Sequence, residues 1–208
     1  MSRTIAVVTC STRRPRLNPF VSAYVHQILA AAAASTSPSV SVELLDLADQ
    51  ALPLYDEPAV PAKLPPADPT PHYAHQHTRA WSATARRYDA FVFVTPQYNW
   101  SIPASLKNAL DYLFHEWTGK PAAIVTYGTR GGVKAADHLR TVLLGLRMSP
   151  VPTSVALLAH EIDIAACEQR GSLPSDLVDA WRLAGQEDNI NALFSQLLKA
   201  LHPDDSEP

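Results

Sequence analysis

The sequence predicts an α/β fold, a doubly wound sheet of five parallel strands in the order 2-1-3-4-5. Two observations carry this. Five short apolar runs alternate with stretches of helical period, the pattern of repeated strand–helix crossovers. The densest run, Ala90-Phe91-Val92-Phe93-Val94, has no polar alternation, as a strand buried on both faces requires. In that strand order, strands 1 and 3 flank the point where the winding reverses. Open α/β sheets bind ligands there, beyond the carboxyl ends of the strands.

The first strand is Thr4-Ile5-Ala6-Val7-Val8-Thr9. It runs into Cys10-Ser11-Thr12-Arg13-Arg14-Pro15-Arg16-Leu17-Asn18-Pro19, and a helix is expected over residues 19–34. Asn18 suits its N-cap, and the alanine run favours helix. Hydroxyls, backbone N–H groups and a helix amino terminus together make an anion site. Arg13, Arg14 and Arg16 add forked donors suited to phosphate. Val40-Ser41-Val42-Glu43-Leu44-Leu45 alternates better and suits an edge strand.

Residues 46–72 lose all periodicity, and seven of the 18 prolines fall between Pro53 and Pro71. Such a long excursion is either a functional loop or a mobile surface insertion. A helix is expected over residues 72–87, carrying His72, His75, His77 and Trp81. Three histidines this close invite a zinc reading. No carboxylate or Cys sits at ligand spacing, so no metal is assigned. A solvated helix start or an intersubunit contact explains them equally well.

After the third strand comes the polar and aromatic loop Thr95-Pro96-Gln97-Tyr98-Asn99-Trp100-Ser101. Pro103 opens a helix, where its missing N–H costs nothing. Leu106, Ala109, Leu110, Leu113, Phe114 and Trp117 form one stripe at helical period. The fourth strand, Lys120 through Thr126, leads into Tyr127-Gly128-Thr129-Arg130-Gly131-Gly132, where three of the seven glycines lie. Glycine lets backbone approach a planar ligand closely. Arg130 could face phosphate or cofactor. A helix follows over residues 133–148. The fifth strand is residues 151–157, with Pro152 marking an edge or a strand start. One terminal helix is expected over residues 174–201, with Leu177, Trp181, Ala184, Leu193 and Leu197 on its apolar side. Residues 1–201 read as one domain and residues 202–208 as a polar tail.

Several functions are disfavoured. A formal charge of −3 gives no basic field for nucleic acid. No apolar run approaches the ~18 residues of a membrane span. Residues 1–10 lack a signal-peptide pattern, and the two cysteines, Cys10 and Cys167, do not make a disulfide framework, so a cytoplasmic setting is expected. There is no G-x-S-x-G and no Ser/His/Asp set, so no catalytic side chain is assigned.

Thr95-Pro96-Gln97-Tyr98-Asn99, followed by Pro103-Ala104-Ser105-Leu106-Lys107-Asn108-Ala109-Leu110-Asp111, resembles the second flavin-binding segment of the NADPH-dependent FMN reductase family. That family is flavodoxin-like and includes many quinone and azo-dye reductases. The arginine-bearing first loop is similar to the family's Gly-Ser-x-Arg opening, with Cys10 in the glycine position. Residues 127–132 resemble its third flavin segment. The resemblance spans roughly residues 4–155 and implies a bound FMN. Ser11, Thr12, Arg13, Arg16 and Asn18 would hold the phosphate. Pro96, Gln97, Tyr98, Asn99 and Trp100 would line the isoalloxazine and ribityl chain, and Tyr127 and Gly128 would close the other side. Gln97 stands where the family often has an acid. Trp100 replaces a residue that is often smaller or a histidine, and would narrow the pocket or offer an aromatic face to substrate. The resemblance further implies NADPH or NADH as donor and a ping-pong mechanism. The acceptor would be a small molecule: a quinone, an azo compound, a metal ion or free flavin. It also implies a homodimer or homotetramer, with the helix after Pro103 and its Trp117 end as candidate interface. A flavodoxin-type electron carrier and a flavin-free ligand-binding or regulatory protein on the same fold are the rival readings.

Overall fold

The computed structural model describes residues 3–36 and 39–202. Five parallel strands, β1 (Arg3–Thr9), β2 (Val40–Asp46), β3 (Ala90–Pro96), β4 (Pro121–Gly128) and β5 (Ser149–Leu158), form one sheet in the order β2-β1-β3-β4-β5. This is the expected order. Alternate side chains divide between the two faces. Ile5, Val7, Val92, Val94 and Val125 pack under α1 (Asn18–Ala33), α5 (Ile164–Arg170), α6 (Ser175–Leu183) and α7 (Gln186–Leu201). Ala6, Val8, Phe91, Phe93 and Ile124 pack under α2 (Gln76–Arg86), α3 (Ala104–Asp111) and α4 (Val133–Gly145). All seven residues of β3 are buried, which is why its sequence carries no alternation. β2 is half exposed along its length, as an edge strand should be. The register brings the carboxyl ends level: Thr9 lies opposite Asp46 and Val94, and Pro96 opposite Tyr127.

Three helix expectations need correcting. The helix after Pro103 ends at Asp111 instead of continuing to Trp117. Leu113 and Trp117 are still buried, but from a turn. The indole N–H of Trp117 donates to the Leu110 carbonyl, and the buried Glu116 carboxylate accepts from Phe114 N–H. Trp117 is 1% exposed and therefore cannot serve as intersubunit surface. The terminal helix is two helices, α6 and α7, divided at Gly185, whose φ of +70° a side chain would oppose. The short α5 before them was not expected. Finally, α2 begins at Gln76, after a 3-10 turn at Thr70–His72, so His72 lies outside it. Of the expected tail, residues 203–208 lie outside the described residues.

The proline-rich excursion is strapped down. Asn108 of α3 accepts from Tyr55 N–H and donates to the Pro53 carbonyl. The Tyr112 hydroxyl donates to Asp56, and the buried Glu57 carboxylate accepts from the N–H groups of Ala74 and His75. His75 and His77 stack with ring centroids 5.2 Å apart, His77 within 3.1 Å of Asp56. Among the described residues, no three His, Cys, Asp or Glu side chains gather as a metal site, and no helix is long and apolar enough to cross a membrane.

Lys120, at the amino end of β4, is largely buried. Its ammonium donates to the Ala85 carbonyl at 3.0 Å and lies 5.5 Å from the Phe91 ring centre. Burial brings its pKa down from 10.5 to about 8, against the opposing pull of Asp89 and Glu116. Below pH 8 the folded chain carries this charge at a cost of roughly 3 kcal/mol. Between pH 8 and 10.5 the folded state releases the proton while the unfolded state keeps it, so the penalty fades as pH rises. Lys120→Met is therefore expected to gain stability over the parent at pH 7, with the gain shrinking to nothing by pH 10.5. Urea unfolding of both proteins across that range checks it.

Candidate functional site

The loop after β1 is pinned from below. The fully buried Asn18 side chain accepts from Ser11 N–H at 2.6 Å and donates to the Val94 carbonyl of β3 at 3.0 Å and to the Ser22 hydroxyl. Contrary to the expectation from sequence, it does not cap α1; Leu17 occupies the cap position, with no side-chain cap bond. Cys10 is buried with its thiol toward the Val8 carbonyl, and burial raises its pKa well above the ordinary thiol range. It fills the small-residue position and is not poised as a nucleophile.

The arginines divide. Arg16 makes a paired contact with both Asp46 oxygens at 2.8 and 2.7 Å and also donates to the Ser11 carbonyl. Its guanidinium thus braces the first loop against β2, while its stem lines the cleft described below. Arg13 and Arg14 form no ion pair among the described residues. The Arg13 guanidinium lies 5.8 Å from the Tyr98 ring centre. Among the described residues, the N–H groups of Thr12 and Arg14 have no hydrogen-bond acceptor.

The loop after β3 closes on itself. Tyr98 and Ser101 exchange both backbone hydrogen bonds, at 2.8 and 2.9 Å, around Asn99 and Trp100. The two tip residues have φ of +48° and +67°. This is a two-residue turn of the kind that favours Asn-Gly. Asn tolerates such a φ; Trp does not, and the strain costs about 1–3 kcal/mol. The Tyr98 hydroxyl lies 2.7 Å from the Ser11 hydroxyl and ties this loop to the first. The Gln97 side chain accepts from the N–H groups of Lys134 and Ala135, capping α4, whose own cap residue has no side chain. Gln97 N–H is taken by the Tyr127 carbonyl. In the loop after β4, Gly131 has φ +74°, and a Cβ there would stand 2.9 Å from that of Ala156. Only glycine lets this loop lie against β5.

These loops enclose a cleft of 410 Å³. Arg13, Arg16, Pro96, Gln97, Tyr98, Tyr127 and Gly128 line it. Ser11 and Asn18 lie beneath it. Thr12 instead borders a separate hollow with Arg14, Ser105 and Asn108. Asn99 and Trp100 sit at the turn tip outside the lining, the Trp100 side chain 73% exposed. Tyr127 is buried, which holds its hydroxyl protonated far above the ordinary tyrosine range, with Tyr98 adding to the effect. The volume falls in the range of small-molecule sites.

A family model described as NADPH-dependent FMN reductase matches residues 3–163. The chain belongs to that family. An NAD(P)H-dependent FMN reductase of Nectria sp is 38% identical over 95% of this chain and 96% of its own length. One of Saccharomyces cerevisiae is 42% identical over 71% of this chain and 76% of its own. A quinone reductase of Pseudomonas putida is 32% identical over 69% and 71%. Among solved structures, a flavoenzyme NAD(P)H:(acceptor) oxidoreductase from Paracoccus denitrificans superposes with TM-score 0.64 at 23% identity, covering 93% of this chain and 98% of its own; it supports the flavodoxin-like fold. The chain is thus an oxidoreductase of an FMN-binding, NAD(P)H-using family.

One wall of the cleft is missing from the sequence-based reading of this reductase. Ala159, Glu161, Ile162 and Ile164 follow β5 and face the loops of β1, β3 and β4. Ala159 N–H joins the Gly128 carbonyl at 2.9 Å, carrying the segment across the mouth. The one legible signal was Asp163, which caps α5 through Ala166 N–H just ahead of an apolar run. The cap on α4 gives a direct test of the second loop. Gln97→Leu is expected to cost about 1 kcal/mol of stability, as lost caps do, whereas Gln97→Glu, which keeps the acceptor oxygens, should cost far less. Thermal unfolding of the two variants checks this.

Proposed function

We propose that this chain binds FMN in the cleft between the loops of β1, β3 and β4 and reduces a small acceptor there at the expense of NADPH or NADH. The observation that carries the reading is the mixed lining of the cleft. Arg13 offers a cation with no ion-pair partner among the described residues, and Leu17, Pro96, Tyr98, Tyr127, Ile162 and Ile164 offer aromatic and apolar surface. A flavin mononucleotide carries both matching groups, an anionic phosphate and a flat ring system.

The lining residues support this reading. Arg13 has no carboxylate partner among the described residues and can meet a phosphate with forked donors. The Ser11 hydroxyl, 2.7 Å from that of Tyr98, adds a polar group beneath the cleft. Arg16 acts at one remove, by holding the loop on Asp46. Pro96, Gln97 and Tyr98 form one wall for the ring system, and Tyr127, Gly128, Leu17, Ile162 and Ile164 the rest. The N–H groups of Asn99 and Trp100, at the turn tip beside the cleft, have no acceptor among the described residues and would be available to its polar edge. FMN, when bound, supplies two-electron transfer between the nicotinamide donor and the acceptor.

The chain's own groups orient and shield. Tyr127 stays neutral at physiological pH, so it adds no negative charge beside the ring and can only donate or accept a hydrogen bond. No side-chain nucleophile is needed. With one cleft for donor and acceptor in turn, the kinetics are ping-pong. The acceptor class is a quinone, an azo compound, a metal ion or free flavin. Self-association into dimers or tetramers would use the strap over α3, where Leu54, Tyr55 and Val60 are exposed. Both free thiols are buried, which suits a reducing cytoplasmic setting.

The phosphate assignment is testable by comparing FMN with riboflavin. Arg13→Ala is expected to weaken FMN binding about tenfold or more, the worth of a charge-assisted contact, and to leave riboflavin binding unchanged. Equal losses for both ligands in a fluorescence titration would move the phosphate elsewhere. Initial-rate plots at several acceptor concentrations should give parallel lines; intersecting lines would mean that both substrates occupy the site together.

A further inference from the structure

Trp100 is the one large aromatic side chain of the site that the FMN reading does not use. Its three fellow indoles, Trp81, Trp117 and Trp181, are buried and donate N–H bonds to backbone carbonyls. Trp100 is 73% exposed, and among the described residues its indole makes neither a hydrogen bond nor a ring contact. It holds a positive φ of 67° at the turn position where glycine is preferred. Among the described residues, the backbone strain is thus borne without a hydrogen bond or ring contact of the indole in return. Tight anchoring keeps the indole displayed: Tyr98 and Ser101 close the turn, and the Ser101 hydroxyl is hydrogen bonded to His138 Nδ1 of α4. Two residues earlier, Tyr98 lines the cleft. A largely exposed aromatic on a strained, anchored turn beside a cleft points to a ligand that covers its open face.

We propose that Trp100 is a specificity-determining residue for the second substrate: its indole stacks on a planar aromatic acceptor, of the quinone class, as that acceptor enters the cleft. The inference rests on the FMN reductase reading and deepens it. The reaction balances as NAD(P)H plus one proton plus quinone giving NAD(P)+ and hydroquinone. Two electrons and one proton come from the nicotinamide as hydride, and the second proton comes from solvent. Trp100 takes no part in the electron or proton count and acts by holding the ring. A small hydrated acceptor such as ferricyanide has no face to stack and gains nothing from the indole.

The test compares the FMN-loaded parent with Trp100→Gly and Trp100→Phe. Glycine relieves the turn strain, so Trp100→Gly should unfold at the same temperature or higher. Specificity is the ratio of kcat/KM for a naphthoquinone to that for ferricyanide. That ratio is expected to fall about threefold to tenfold in Trp100→Gly, mainly through a higher KM for the quinone, with phenylalanine restoring most of it. A second readout needs no turnover. Without NAD(P)H, the naphthoquinone should quench the exposed tryptophan emission of the parent saturably, and the saturable part should vanish in Trp100→Gly. Equal losses for both acceptors, or no saturable quenching, would overturn the assignment. A weaker FMN affinity in Trp100→Gly would place the indole on the flavin instead, and a smaller native mass would place it in a subunit contact; either overturns it too. If the parent itself retains no FMN, the reading beneath fails, which the loading step reveals before any variant is compared.

Discussion

The buried amide of Asn18 is the constraint on which the site depends. It lies at the root of α1, yet its bonds run to the loop after β1 and to the carboxyl end of β3. A primary amide buried without partners would be costly; here oxygen and nitrogen are both satisfied. The consequence is geometric. With Ser11 N–H drawn down onto Asn18, the N–H groups of Thr12 and Arg14 are left without acceptors among the described residues. The Ser11 hydroxyl faces Tyr98, so the second loop is located from the first. Arg16, held on Asp46, fixes the far side of the same loop to the edge strand.

From there the cleft follows by steps. Gln97 caps α4, which sets the second loop against the third. Gly131 allows the third loop to lie on β5, and the Gly128 carbonyl receives Ala159 N–H, which brings the last wall across. Apart from the close approach at Gly131, the links are hydrogen bonds between elements distant in sequence. The sheet supplies level carboxyl ends, and these links turn them into a walled cleft.

The sheet was legible because its signal is redundant. β3 is buried on both faces, and its run of five apolar residues says so. Parallel order then follows from alternation with helices. Helix ends were less legible. The stripe through Leu106 and Trp117 keeps helical period past Asp111, so period alone could not show that Tyr112 and Glu116 reach sideways, to Asp56 and to Ser82, and turn the chain. The arginine loop read correctly as basic but not in its division of labour. Three arginines suit a phosphate equally well, and the carboxylate that removes Arg16 from that role lies thirty residues away. Asn18 was misread for a related reason: an Asn before a helix commonly caps it, and only the fold reveals that its amide is needed below the loop. The segment after β5 carries no ligand-binding motif; its place on the cleft comes from β5 lying beside β4.

The central claim is that these loops hold FMN and that the bound flavin accepts electrons from a nicotinamide. The most direct measurement is the visible absorbance spectrum of the protein after incubation with FMN and desalting, taken before and after anaerobic addition of NADPH. The account predicts a retained flavin band at one FMN per chain that NADPH bleaches fully. A retained band that NADPH leaves untouched would mark a carrier rather than a reductase, and no retained band would contradict the assignment of the cleft itself.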